Sequence, residues 1–209
     1  FNLGNLYKEI NKLEESIENF SKAISINNKH YTAYHNRAVV KGLLLKFDDA
    51  IKDFDEALRI NPRYSNSLFF KATTQLKKGD YKNGWKNYEH RWEAMNFPSP
   101  KREFKQPCWN GTDSLNDKII LIHGEQGLGD NIHFVRYFNL IESKAKKAIL
   151  QVDKKLVQLF KDSNQSINIF SNNEKLPIFD IHCPLLSLPY KFSTTLNNIP
   201  FNDKYLLPN

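Results

Sequence analysis

A 34-residue repeat constrains the fold of the first half of the chain more than any other sequence feature. Residues of one kind recur at this interval in three series, namely Phe20, Phe54 and Tyr88; Gly4, Ala38 and Ala72; and Ala23 and Ala57. Small residues allow two helices to approach closely, and aromatic residues fill the space between them. The repeat therefore predicts a stack of helix pairs in which each pair contacts its neighbours.

This pattern resembles tetratricopeptide (TPR) repeats over residues 1 to about 95, which implies an α-solenoid of about three helix pairs. The second repeat, 31–64, is the most regular. The first repeat lacks its opening residues, and the third, 65–98, is looser. Apolar residues at helical spacing predict four helices, at about 31–44, 47–60, 65–78 and 81–94.

The first helix of each pair is expected to line the concave surface of the solenoid. Asn2 and Asn36 occupy equivalent positions on these helices. They resemble the asparagine ladder that holds peptide backbones in O-linked N-acetylglucosamine transferases, so a protein or peptide partner is expected there. Asparagine is abundant in this chain and Phe70 takes the position in the third repeat, so a solvated surface is the alternative.

The helical pattern ends shortly after Trp92, where Pro98 and Pro100 prevent a helix from continuing. We therefore assign 1–97 to the repeats, 98–117 to a linker and 118–209 to a second domain. In that domain, short apolar runs alternate with amphipathic segments. The predicted strands are 118–123, 148–152, 167–170 and 178–181, and the predicted helices are 130–143 and 154–161. This alternation predicts a mostly parallel, Rossmann-like sheet.

A glycine-rich turn follows the first predicted strand, with Gly124, Gly127 and Gly129 spaced as Gly-x-x-Gly-x-Gly. This spacing matches neither the dinucleotide fingerprint nor a P-loop. The backbone of such a turn can approach an anionic group at the start of a helix. Alternatively, the glycines only make a tight turn, with Asp130 as the helix N-cap.

A further resemblance rests on segments distributed along most of the chain, namely Gly84-Trp85 with Tyr88-Glu89 and Arg91-Trp92, Trp109-Asn110-Gly111, Gly124 to Asp130 with Phe134 to Tyr137, Phe179 to Pro189, Thr194 to Leu196, and Ile199-Pro200. Together these segments resemble bacterial TPR proteins fused to a GT-B-type glycosyltransferase, of the heptosyltransferase-like and O-GlcNAc-transferase-like kind. The resemblance implies transfer of a sugar from a nucleotide-activated donor to a protein or glycan acceptor. Asp130 matches the position of a proposed general base, and helix capping is its alternative role.

The other substrate-binding candidates lie near the glycine-rich turn or the last predicted strand: Gly127, Gly129, Gln126, His133, His182 and Asp180. His133 departs from the resemblance, because the family usually has glutamine there. His182 follows the predicted strand 178–181 and is expected at the same edge as the glycines, although it could instead bond its own loop. No residues have metal-ligand spacing, and GT-B enzymes generally need no bound metal.

In GT-B enzymes a C-terminal Rossmann domain holds most of the nucleotide sugar, and this sequence resembles only the preceding half. We therefore expect the chain to fold but to be inactive alone, without a cofactor of its own. The alternative function is a non-catalytic TPR protein–protein interaction module with an inert α/β domain.

The formal charge of +7 is spread evenly, at +4 over residues 1–97 and +3 over residues 98–209. Nucleic-acid binding is not favoured, because it would concentrate basic residues on one face. Two cysteines, Cys108 and Cys183, cannot form a disulfide framework. They fit a reducing compartment, so a cytoplasmic location is expected, and no apolar run is long enough to span a membrane.

Overall fold

The computed structural model describes residues 1–95, 97–125, 127–200 and 205–207. The chain forms two compact units, which divide between Phe97 and Pro98. The first unit is helical, and the second contains a β-sheet. Within the described ranges, no helix combines the length and hydrophobicity that crossing a membrane requires.

The first unit contains consecutive helices, each packed against the next: α1 (Asn2–Glu9), α2 (Leu13–Ile26), α3 (Tyr31–Leu43), α4 (Phe47–Ile60), α5 (Ser65–Lys78) and α6 (Tyr81–Tyr88). The prediction of repeated helix pairs is confirmed. The last helix is shorter than predicted, because the chain tightens into a 3₁₀ turn at Glu89–Glu93. There the fully buried Arg91 side chain places its guanidinium 4.5 Å from the ring centroid of Trp92.

The repeated small residues make room for the repeated aromatic residues. A Cβ atom on Gly4 would lie 2.7 Å from the ring of Phe20, which is fully buried. In the next repeat, Ala38 and Ala50 pack with Phe54 in one apolar cluster. The 34-residue spacing thus reflects one packing contact made in successive pairs.

A buried ion cluster joins α3 to α4. The Asp53 carboxylate is 5% exposed and accepts hydrogen bonds from Arg37 Nε at 2.8 Å and Nη2 at 2.7 Å. Lys41 Nζ lies 2.7 Å from the same carboxylate. Two further ion pairs, Lys71 with Asp55 and Lys78 with Asp48, join α5 to α4. The acidic residues of α4 therefore hold basic residues of the helices on both sides.

The second unit contains a four-stranded, all-parallel sheet with strand order β3-β2-β1-β4. The strands are β1 (Ile119–His123), β2 (Lys147–Val152), β3 (Ile169–Ser171) and β4 (Ile181–Pro184). The helices are α7 (Leu128–Phe134), α8 (Phe138–Glu142), α9 (Lys154–Ser163) and α10 (Leu188–Lys191). The predicted parallel sheet is therefore confirmed.

The two faces of the sheet have different covers. On one face, Leu121 and Ile149 form an apolar cluster with Phe179, against which Phe104 packs from the segment before β1. Alternate residues of the strands, such as Ile120, point to the opposite face, where right-handed crossovers place the connecting helices. Extended segments therefore cover one face and helices the other.

Two predicted elements of the second unit have the wrong bounds. The predicted helix 130–143 is two short helices separated by a 3₁₀ turn at Val135–Tyr137. The predicted strand 178–181 lies further along the chain, because residues 181–184 are the ones that pair with β1. Residues 98–117, expected as a linker, belong to the second unit, where Cys108 forms a parallel bridge with His182.

Candidate functional site

The first helices α1, α3 and α5 lie side by side and form one candidate surface of the first unit. Asn36 Nδ2 on α3 donates a hydrogen bond to Asn5 Oδ1 on α1 at 2.8 Å. His35 Nδ1 lies 3.0 Å from Ser67 Oγ on α5, and its ring packs against that of Phe70 with a centroid distance of 5.4 Å. Polar and aromatic side chains thus cross from each first helix to the next.

The two asparagines predicted from the sequence are placed differently on this surface. Asn2 is the exposed first residue of α1, whereas Asn36 is half-buried. The structure joins Asn36 to Asn5 rather than to Asn2. Sequence reasoning missed Asn5, because it lies one helical turn beyond the position that the 34-residue spacing selects. The spacing of residues on one helix face could have identified it.

His35 is a neutral packing residue of this surface. Burial lowers the pKa of its imidazole to about 4, with a smaller contribution from the nearby Lys8 ammonium. Its ring also contacts those of Phe54 and Tyr64. Lys8 is half-buried and has no ion pair with any residue that the structure describes, so it adds a positive charge to the surface.

The glycine-rich turn of the second unit leaves the carboxyl end of β1 and leads into α7. Gly127 is the N-cap position of α7, and Gly127 and Gly129 are exposed. The turn is fixed by Asn131, whose Nδ2 donates to the carbonyl oxygens of Glu125 at 2.9 Å and of Gly127 at 2.8 Å. Asn131 is 4% exposed and was not identified from the sequence.

A second contact fixes the turn to the end of β4. The Glu125 side chain is 7% exposed, and its Oε1 accepts a hydrogen bond from the backbone N–H of Leu186 at 3.1 Å. The chain runs from β1 through β2 to β3 and then returns to place β4 on the other side of β1. The turn therefore lies at the point where the strand order reverses, and ligands of parallel sheets typically bind at that point.

Asp130 lies in the first turn of α7 and is half-buried. It is not the N-cap, because the helix begins two residues earlier than the sequence indicates. His133 follows almost one turn later and is exposed. Partial burial and the nearby Arg136 lower the pKa of His133, and Asp130 partly opposes that shift. The structure thus brings Asp130 and His133 together, while their catalytic and substrate roles remain predictions.

His182 does not follow β4 as expected but lies within it, paired with Leu121 of β1. Its side chain is 8% exposed, and its Nδ1 is 3.2 Å from Nε2 of His123. Burial lowers the pKa of His182, and the positive charges of Arg102 and Lys101 lower it further. His182 is therefore part of a buried histidine pair.

Asp180 lies at the opposite end of the sheet from the glycine-rich turn. Its backbone N–H donates to the Ile119 carbonyl oxygen at 2.9 Å, and its Oδ2 accepts from the Ile119 N–H at 2.7 Å. Asp180 thus holds the start of β4 against the start of β1, away from the other candidates. Gln126, also predicted to bind substrate, lies outside the described residues.

Across the part of the chain that the structure describes, no three His, Cys, Asp or Glu side chains form a group that could hold a metal ion. A cavity of about 300 Å³ lies beside Trp109, Lys144 and Phe192, apart from the predicted site residues.

These features define a class, namely a helical-repeat protein that continues into a four-stranded parallel α/β unit. Two family models match the repeats. One, described as TPR repeat, matches residues 4–43, and the other, described as Tetratricopeptide repeat, matches residues 31–64. Residues 4–64 are therefore tetratricopeptide repeats.

The chain is 28% identical over 174 residues to protein FlbA of Caulobacter vibrioides, covering 80% of this chain and 29% of that relative. It is 30% identical over 191 residues to the DnaJ homolog subfamily C member 7 homolog of Dictyostelium discoideum, covering 85% and 35%. The chain thus spans about a third of the length of these relatives. Because the first unit ends at Phe97, the FlbA match extends into the second unit.

Solved structures also resemble the chain. The TPR2B domain of yeast Sti1, in a complex with pHsp70, has a TM-score of 0.41 and 22% identity, covering 42% of this chain and 70% of that one. The TPR domain of Sgt2 from Aspergillus fumigatus has a TM-score of 0.44 and 21% identity, covering 46% and 67%.

Proposed function

We propose that the first unit is a protein-interaction module that binds an extended segment of a partner protein on the surface of α1, α3 and α5. The Asn5–Asn36 amide pair carries this proposal. Within the pair, Asn36 Nδ2 donates a hydrogen bond to Asn5 Oδ1. The remaining two atoms, Asn36 Oδ1 and Asn5 Nδ2, have no hydrogen-bond partner among the described residues. Together they offer one acceptor and one donor, which match the N–H and C=O groups of an extended backbone.

The neighbouring side chains supply apolar and charged contacts. Phe70 occupies the position equivalent to Asn36 in the third repeat and is 38% exposed, so its ring can pack against an apolar side chain. Lys8 supplies a cation at the same surface. The family matches support the part of this surface that α3 and most of α1 form, and α5 lies beyond the matched residues.

Peptides selected from a random library against the 209-residue chain provide the probe for a test. We expect Asn36→Ala to weaken binding of the selected peptides about fivefold, because each lost hydrogen bond is worth about 1 kcal/mol. Asn28→Ala is the matched control, because Asn28 is exposed in the turn after α2. Equal affinity of the Asn36→Ala variant and the unmodified chain would contradict the proposed surface.

A second candidate function is sugar transfer by the whole protein, with the second unit as the acceptor-side half of a Rossmann-like GT-B domain. One observation favours it: the glycine-rich turn and Asp130 lie where the strand order reverses. An inverting transfer needs a carboxylate to accept the proton of the acceptor hydroxyl, which is the role proposed for Asp130. None of the relatives described above is named as a glycosyltransferase.

The test for this second function is the Asp130→Asn variant of the full-length protein. We expect loss of sugar transfer, with an unchanged rate in Asp117→Asn, because Asp117 is exposed before β1 at the other end of the sheet. A wild-type rate in Asp130→Asn would remove Asp130 from the mechanism. We also propose a cytoplasmic location, because a sequence with two cysteines, Cys108 and Cys183, cannot form a disulfide framework of the kind that secreted proteins carry.

A further inference from the structure

Arg102 is a half-buried cation in the segment before β1, close to Phe104, which packs on the sheet face formed by Leu121 and Ile149. Its Nη2 donates to Gln151 Oε1 at 2.5 Å, and its guanidinium lies 5.1 Å from the ring centroid of Phe104. No carboxylate of a described residue lies within ion-pair distance of Arg102, in contrast to Arg37, which binds Asp53. Partial removal of a cation from water is unfavourable unless a counter-ion or hydrogen bonds compensate it.

Arg102 lies at an edge of the sheet where a bound ligand would be within its reach. Gln151 is in register with His123, the last residue of β1, so this contact lies at the carboxyl ends of the two central strands. Ligands of parallel α/β sheets bind outside those ends, close to the reversal of strand order. Arg102 approaches this edge from the face opposite the connecting helices.

Lys101 adds a second cation beside Arg102, although the exposed Glu103 carboxylate follows Arg102 in the chain. Lys101 is exposed, and both cations act on His182, whose imidazole pairs with that of His123. The Phe104 ring packs against both imidazoles, at centroid distances of 4.7 Å to His182 and 5.2 Å to His123.

Two of the carboxylates at this edge, those of Glu125 and Glu174, already bind backbone N–H groups. Glu125 accepts from Leu186, and Glu174 accepts from Ser171 at the end of β3. Burial lowers the pKa of Arg102. The edge therefore has a cation that these carboxylates do not neutralise.

We propose that Arg102 and Lys101 form a binding site for a small oxyanion, a phosphate or a carboxylate, at the carboxyl edge of β1 and β2. The planar guanidinium presents parallel N–H donors that match two oxygens of either group, and Lys101 adds a flexible ammonium. A bound anion compensates the charge that the protein leaves uncompensated at Arg102. The site is separate from the peptide surface proposed for the first unit, so either can fail without the other.

Isothermal titration of the 209-residue chain with inorganic phosphate tests the site. We expect saturable binding that weakens about tenfold or more in Arg102→Gln, because charge-assisted bonds to the anion are lost. Arg63→Gln is the matched control, because it removes the same charge from an exposed arginine of the first unit. Absence of saturable binding, or equal weakening in both variants, would overturn the proposal.

The titration of His182, followed by nuclear magnetic resonance, gives an independent measurement. An anion beside Arg102 favours the protonated imidazole, so we expect phosphate to raise the pKa of His182 in the unmodified chain but not in Arg102→Gln. Acetate in place of phosphate distinguishes a carboxylate site from a phosphate site, and a response to either ligand supports the proposal.

A second variant, Arg102→Lys, retains the positive charge but lacks the planar guanidinium. It keeps the proposal testable if Arg102→Gln does not fold. Unchanged phosphate affinity in Arg102→Lys would refute recognition by the guanidinium.

Discussion

Replacement of Asp53 by asparagine tests whether the buried ion cluster stabilises the repeats. The carboxylate binds two cations, and the side chains of Arg37 and Lys41 are only 17% and 18% exposed. Asparagine keeps the size of the side chain but removes the negative charge. Two partly buried cations then face each other without a counter-ion, at an expected cost of about 3 kcal/mol.

This cost is large for a helical unit whose total stability is expected to be about 5–15 kcal/mol. Urea denaturation followed by far-ultraviolet circular dichroism measures it, because the first unit supplies most of the helical signal. With a slope of about 2 kcal/mol per molar urea, the midpoint of helix loss is expected to fall by about 1.5 M.

Asp49→Asn is the matched control on the same helix. Asp49 is 56% exposed and lies 3.5 Å from Lys52, so its removal is expected to change the free energy of unfolding by at most about 0.5 kcal/mol. Equal midpoints of the two variants would contradict this prediction, because the buried cluster would then contribute no more than a solvated ion pair.

Two further predictions concern stability. Gly4→Ala is expected to destabilise the first unit by about 1–3 kcal/mol, because the new methyl group meets the rigid Phe20 ring at 2.7 Å. This steric cost outweighs the better helix propensity of alanine. The control Gly129→Ala places its methyl group where no atom lies within 4 Å, so it is expected to be neutral or slightly stabilising. Thermal denaturation of the two variants checks this, and equal losses would refute the steric argument. Because the pKa of His35 falls from its ordinary value of 6.5 to about 4 on folding, its contribution is full above pH 6.5 and is lost as the pH falls towards 4, by about 2 kcal/mol at pH 5. Urea midpoints at neutral pH and at about pH 5 measure this loss, and a loss of the same size in His35→Gln would assign it to other groups.

The sequence predicts the repeats well because their signal is local and periodic. Each first helix needs a small residue where Phe20 or Phe54 packs, so the spacing survives even where individual residues vary. The shortened α6 was not predicted, because helical spacing does not distinguish an α-helix from the 3₁₀ turn at Glu89–Glu93.

In the second unit the errors come from contacts between residues far apart in the chain. The strand pattern alone ends β4 before His182, yet the hydrogen bonds to β1 continue through Pro184. Asp180 lies inside the predicted strand 178–181, and only the pairing of the strands shows that it lies at the amino end of β4. The histidine pair joins positions 59 residues apart, which periodicity cannot reveal.

The bridge between Cys108 and His182 has a practical consequence for dividing the protein into fragments. A fragment that begins at Lys118 would lack the backbone of Pro107 and Trp109, which bonds to His182, and would expose β4 as an open sheet edge. Unprotected edges of this kind pair with other chains and promote aggregation. A fragment that begins at Pro98 keeps this protecting segment and also Phe104, so Pro98 is the better starting point for expressing the second unit by itself.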